Sequence, residues 1–152
     1  MEASNPSIES LEQTANECRK SIIQMIHKAG AGHPGGSLSA IDILVALYGT
    51  QMNFDVNDGN SPTRDRFIMS KGHASPAVYS ILHQHGFIQQ SDLDGFRTLG
   101  SVCQGHVDMK WTNGVDFSTG SVGLGPVAPN FASIVRSYSQ SHDLQGNQTR
   151  GR

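Results

Sequence analysis

Between Ile8 and Met25 the apolar residues Ile8, Leu11, Ala15, Cys18, Ile22 and Met25 return at alternating steps of three and four. That spacing puts them on one stripe of an α-helix and predicts an amphipathic helix ending near Gly30. Asn5-Pro6 is its expected start, because proline suits a first helical position where the N–H has no partner. A stripe this long must be covered by further elements, and the rest of the chain is read for what covers it.

A second helix is expected from Ser39, with Asp42 completing a variant capping box and Ile41, Leu44, Val45 and Tyr48 forming its apolar face. Gly49 is expected to stop it. Residues 55–63 are rich in Asp, Asn, Gly, Ser and Pro and read as a loop. A short buried strand is expected over 66–70, and Ser75-Pro76 repeats the cap-then-proline signal for a helix with Val78, Ile81, Leu82 and His85 on one face, ended by Gly86. Ser91 with Asp94 opens a helical turn, residues 98–113 show no periodicity, and Val115-Asp116-Phe117 reads as a brief extended segment. A last helix is expected around Pro126, with Val127, Phe131, Ile134, Val135 and Tyr138 on one side, before a polar, flexible tail over 139–152. Helices alternating with short strands give an α/β fold class.

Composition narrows the function classes. A formal net charge of -2 supplies no broad positive field, so neither nucleic acid nor an anionic membrane surface is an expected partner. No stretch approaches the roughly 20 apolar residues that span a bilayer, and the N-terminus has no signal-peptide pattern, so a cytoplasmic location is expected. Cys18 and Cys103 lie far apart without metal-site spacing and read as free thiols.

Three of the seven histidines follow glycine directly: Gly32-His33, Gly72-His73 and Gly105-His106. Chance placement among 17 glycines would give roughly one such pair. Glycine lets the backbone turn sharply and a ligand come close, and imidazole exchanges protons near neutral pH. The alternative is three loop histidines bonded to backbone carbonyls. A zinc triad would need His or Cys spacings that are missing here. Residues 30–35, Gly-Ala-Gly-His-Pro-Gly, match the dinucleotide expression GxGxxG, but that mechanism needs a preceding strand, and a helix is expected instead. Residues 118–125, Ser-Thr-Gly-Ser-Val-Gly-Leu-Gly, would admit a cofactor against bare backbone, or form a flexible turn.

The ordered words over residues 32–39 (Gly-His-Pro-Gly-Gly-Ser-Leu-Ser), 70–75 (Ser-Lys-Gly-His-Ala-Ser), 105–106 (Gly-His) and 118–123 (Ser-Thr-Gly-Ser-Val-Gly) resemble the pyrophosphate-binding domain of transketolases, over roughly residues 8–140. The resemblance implies the N-terminal part of a thiamine-diphosphate-binding, parallel-sheet domain, helix-rich and incomplete, with residues 1–152 as a partial pyrophosphate-binding domain. It implies that His33 meets the sugar substrate, that His73 lies near the cofactor diphosphate and substrate, and that His106 contacts the hydroxyl end of the donor. Gly120, Ser121 and Val122 would offer backbone to the aminopyrimidine ring. The implied reaction moves a two-carbon ketol unit between sugar phosphates, with Mg²⁺ as second cofactor.

Residues 123–126, Gly-Leu-Gly-Pro, look more like the homodimeric decarboxylating subunit of pyruvate dehydrogenase, which keeps a 2-oxo acid dehydrogenase fragment as a rival; deoxyxylulose-phosphate synthesis and a non-catalytic truncated fragment are others. The family's Gly-Asp-Gly motif, which holds Mg²⁺, has no counterpart, since no Gly-Asp dipeptide occurs in the sequence. All four glutamates, Glu2, Glu9, Glu12 and Glu17, lie in or before the first helix, so none is expected to replace the partner-domain glutamate that activates the cofactor. The expectation is an inactive chain in isolation, needing a complementary transketolase chain or domain in a homo- or hetero-oligomer.

Overall fold

The computed structural model describes residues 6–58, 61 and 63–120. Five α-helices occur among them: α1 (Ile8–Ala29), α2 (Pro34–Leu38), α3 (Ile41–Ala46), α4 (Ser75–Gln84) and α5 (Gln90–Asp94), with a π-helical turn at Leu47–Gln51 and a 3₁₀ turn at Gly72–Ala74. The expected last helix and the polar tail lie outside the described residues.

The helix α1 follows its sequence pattern. Ala15, Cys18, Ile22 and Met25 are buried along one face, and Gly30 ends the helix in the left-handed conformation at φ 63°. The cap differs from expectation: Ser7 accepts a hydrogen bond from the N–H of Ser10, two positions beyond the Asn5-Pro6 signal. The buried stripe packs chiefly against α4 and then α3. Within α4 every residue from Ser75 to Leu82 is buried, so this is a central helix rather than a one-sided one. Gly86, at φ 82°, turns the chain away after it.

Four local expectations are corrected. The second helical segment begins earlier, at Pro34, and is broken at residues 39–40; the Ser39 hydroxyl donates to the Gly36 carbonyl, and Asp42 pairs with Arg19 across to α1 instead of boxing a cap. Gly49 does not stop the helix but lies inside the π turn, where a Cβ would come within 2.8 Å of Leu11 Cδ2. Ala74, not Ser75, occupies the cap position of α4, and in α5 the capping box uses Gln89 and Asp92 rather than Ser91 and Asp94.

The expected strand over 66–70 and the extended segment at 115–117 form no strand among the described residues. Side chains take their polar groups: the Phe67 N–H donates to Asp116 Oδ2 at 2.8 Å, and the Met69 carbonyl accepts from the Thr119 hydroxyl. Asp116, with its side chain 5% exposed, also pairs with Arg64 and Arg66, clamping the two stretches together.

No helix among the described residues is long and apolar enough to cross a membrane. Cys18 and Cys103 are both buried free thiols. Burial raises both from the ordinary thiol value of 9.0 to about 12.

Candidate functional site

The two ends of the site are organised by α4. Its N-terminus is reached through the Gly72–Ala74 turn, which carries His73. From its buried face, Ser75 Oγ donates to the Gly105 carbonyl at 2.9 Å, and the Tyr79 hydroxyl is shared between the carbonyls of Gln104 (2.9 Å) and His106 (3.0 Å). The loop bearing His106 is therefore tied by side chains to the helix that follows His73. Ser75 belongs to the 70–75 word but reads there as a cap, and Tyr79 falls in no motif. An aromatic hydroxyl on a helix buried from Ser75 to Leu82 is the one signal, since a buried Tyr O–H usually finds a partner.

His33 sits at the cap position of α2 without a side-chain capping bond, so its ring is not engaged by the helix. It faces His73, with ring centroids 5.0 Å apart and planes at 59°. Gly36, one turn into α2, allows this approach, because a Cβ there would lie 3.3 Å from the Cδ2 and Nε2 atoms of His73.

Residues 118–120 close the arrangement. The Thr119 N–H donates to the Val107 carbonyl at 3.3 Å while its hydroxyl reaches Met69, so the segment bridges the His106 loop and the stretch before His73. Gly72 is buried directly beneath it: a Cβ would fall 2.1 Å from the Thr119 carbonyl oxygen and 2.8 Å from the Gly120 nitrogen. Gly120 is exposed and passes the His106 ring, with 3.7 Å from its would-be Cβ to Cδ2. Ser121 and Val122 lie outside the described residues.

The structure thus brings His33, His73, His106 and Gly120 to one place. The His73 pKa is lowered from the usual 6.5, first by partial burial and then by His33, His106 and Lys71. That two of these influences are the other two histidines ties the set together. Beside His106 opens a cleft of about 730 Å³ lined by Gln104, Asp108, Trp111, Ser118 and Thr119 among others. Asp108 accepts from the Ser118 hydroxyl at 2.9 Å, and Ser118 Oγ in turn accepts from the Met109 N–H at 3.0 Å. No cluster of three or more His, Cys, Asp or Glu suited to a metal occurs among the described residues. The residues present suit an anionic polar ligand: imidazole rings, a nearby ammonium and an exposed glycine main chain.

Residues 10–147 match the family model described as transketolase, thiamine diphosphate binding domain. The chain belongs to this transketolase family. Among its relatives, the 6-deoxy-6-sulfo-D-fructose transketolase subunit SqwG of Clostridium sp. (strain MSTE9) is 42% identical over 115 residues, which are 76% of this chain and 42% of that protein. Transketolase of Homo sapiens is 37% identical over 118 residues, 78% of this chain and 19% of that one. The crystal structure of transketolase from Campylobacter jejuni superposes with a TM-score of 0.74 at 38% identity, covering 79% of this chain and 19% of that one. The chain thus spans less than half the length of these transketolases and corresponds to their N-terminal, thiamine-diphosphate-binding portion. The helix-rich fold is that of the transketolase N-terminal domain. A long helix, α1, precedes residues 30–35, so their GxGxxG pattern is not a strand-led dinucleotide turn.

Proposed function

We propose that this chain supplies one wall of the active site of a thiamine-diphosphate-dependent transketolase, which moves a two-carbon ketol unit from a ketose phosphate to an aldose phosphate. The observation that carries the reading is convergence: His33 and His73 stand 5.0 Å apart, and both His33 and His106 act on His73.

In this reading His73 holds the cofactor diphosphate, and Gly120, followed by Ser121 and Val122, presents backbone to the aminopyrimidine ring. His33 and His106 face the sugar, His33 along its length and His106 at the hydroxyl end of the donor. Thiamine diphosphate, when bound, supplies the electron-withdrawing chemistry that side chains lack. The protein orients the substrate and moves its protons. A histidine whose pKa lies below 6.5 is neutral at pH 7, so His73 can accept a proton at a ring nitrogen there.

Mg²⁺ binds with the diphosphate, and its ligands come from outside these 152 residues, as does the activating glutamate. We read the complete domain as α/β with a parallel sheet, working in a cytoplasmic homo- or hetero-oligomer with a complementary transketolase chain or domain. The SqwG relative, itself named as a transketolase subunit, favours an enzyme divided between chains.

Isothermal titration of thiamine diphosphate with Mg²⁺ tests the reading. The chain alone is expected to bind weakly or not at all, and a polypeptide carrying the Gly-Asp-Gly segment and the glutamate is expected to bring affinity into the micromolar range. Micromolar affinity of the chain alone would overturn the divided site. Absence of binding with the complement present would overturn the cofactor assignment.

A further inference from the structure

Lys71, the ammonium near the rings, precedes the Gly72–Ala74 turn and makes a further contact. Its Nζ donates to Ser39 Oγ at 2.9 Å, and Ser39 Oγ donates onward to the Gly36 carbonyl at 3.1 Å. Ser39 caps the C-terminal end of α2, and Gly36 is the residue of α2 whose would-be Cβ lies 3.3 Å from the His73 ring. The chain Lys71–Ser39–Gly36 therefore links the stretch carrying His73 to the short helix that begins at His33.

Both imidazoles need such a link. His33 is exposed and His73 only half-buried, so although Ser37, Gly72 and Ala74 beside them are buried, packing of the rings themselves does not fix their separation. The five residues of α2 form barely one and a half turns, too few to hold a position without tertiary support. We propose that Lys71 is a positioning residue: through Ser39 it holds α2 against the 70–74 stretch and so sets the spacing of the His33 and His73 rings. The charged and titratable groups acting on His73 are His33 at the start of α2, His106 from the loop tied to α4, and Lys71 itself, each of which disfavours its protonation. Lys71 thus acts on His73 twice, directly as a cation and indirectly by keeping His33 close. The proposal rests on reading the three histidines as the site, but its geometry stands without any ligand.

The test separates the two actions by NMR titration of the full 152-residue chain with labelled histidines and no cofactor added, so that failure of thiamine diphosphate to bind leaves the experiment intact. In the wild-type chain His33→Gln is expected to raise the His73 pKa, because the neighbouring ring that lowers it is removed. In a Ser39→Ala background, which keeps the lysine charge but removes its acceptor, that rise is expected to fall by about half or more as the rings part. Lys71→Met is expected to reduce the rise equally and also to raise the starting His73 value. Lys71→Arg, retaining a cation and a donor, is expected to restore part of the coupling. A His33→Gln effect of undiminished size in both the Ser39→Ala and Lys71→Met chains, each verified as folded by circular dichroism, would overturn the positioning role.

Discussion

The α1–α3–α4 side of the molecule and the histidine side are built on opposite plans. On the first, regular helices exchange apolar side chains: Ile22, Ile41, Ile81 and Leu82 are fully buried, and the geometry follows from covering a stripe. On the second, irregular backbone from 70–74, 104–107 and 118–120 is held by individual hydrogen bonds and by glycines that let main chains touch. The first region carries stability and tolerates no loss of volume. The second holds the candidate site, and at Gly72 it has no room for an added methyl.

The sharpest way to break this contrast is to remove volume from the helical side and add it to the other. Leu82→Ala, at a fully buried position of α4, is expected to destabilise the fold by about 2–5 kcal/mol, measured by denaturant unfolding. Because α4 also anchors the His106 loop, a loss under about 1 kcal/mol would mean the helical side does not carry the stability assigned to it.

Gly72→Ala tests the other side. Its Cβ would meet the Thr119 carbonyl oxygen at 2.1 Å, so the 118–120 segment must move, with an expected cost of about 1–3 kcal/mol. The perturbation should be local: NMR shifts are expected at Thr119, Gly120 and His106, and little at Ile22 or Met25. Changes spread evenly over α1 would show that the two regions are not separable.

The smallest effect is a pH dependence of the buried core, read from one thiol on each side, Cys18 in α1 and Cys103 in the loop before His106. Cys18 and Cys103 are neutral when folded, with values pushed from 9.0 up to about 12. Their contribution is fully present below pH 9.0 and is lost as pH rises from 9.0 towards 12, since the unfolded chain then releases the proton first. At pH 9.5 the expected loss is about 1 kcal/mol per thiol, and replacing both by alanine should flatten that part of the profile. An unchanged slope in the double variant would assign alkaline unfolding elsewhere.

The same division explains what could be read without coordinates. The α1 stripe and the Gly30 and Gly86 ends follow from periodicity and from glycine's access to positive φ, both properties of local sequence. Boundaries were less legible where a side chain had two uses. Ser75 looks like a cap but spends its hydroxyl on Gly105, and Asp42 looks like a capping-box partner but pairs with Arg19. Residues 66–70 have the composition of a buried strand, yet Asp116 and Thr119 take their polar groups, a long-range choice that no window of sequence contains. For the site, the Gly-His pairs and the ordered motifs pointed to His33, His73, His106 and Gly120. Lys71 and Ser75 lie inside the 70–75 word and Tyr79 in none, but the supporting contacts of all three stayed illegible, because they arise only when distant segments are brought together.

The central claim is that those three rings and the Gly120 backbone bound a single ligand site. Titrating thiamine diphosphate with Mg²⁺ into the labelled chain together with the complementary polypeptide, and following the His33, His73 and His106 ring signals together with the Gly120 amide, tests it most directly. All four are predicted to shift along one saturation curve with a common dissociation constant. Movement of one ring alone, or separate curves for His33 and His106, would contradict a shared site.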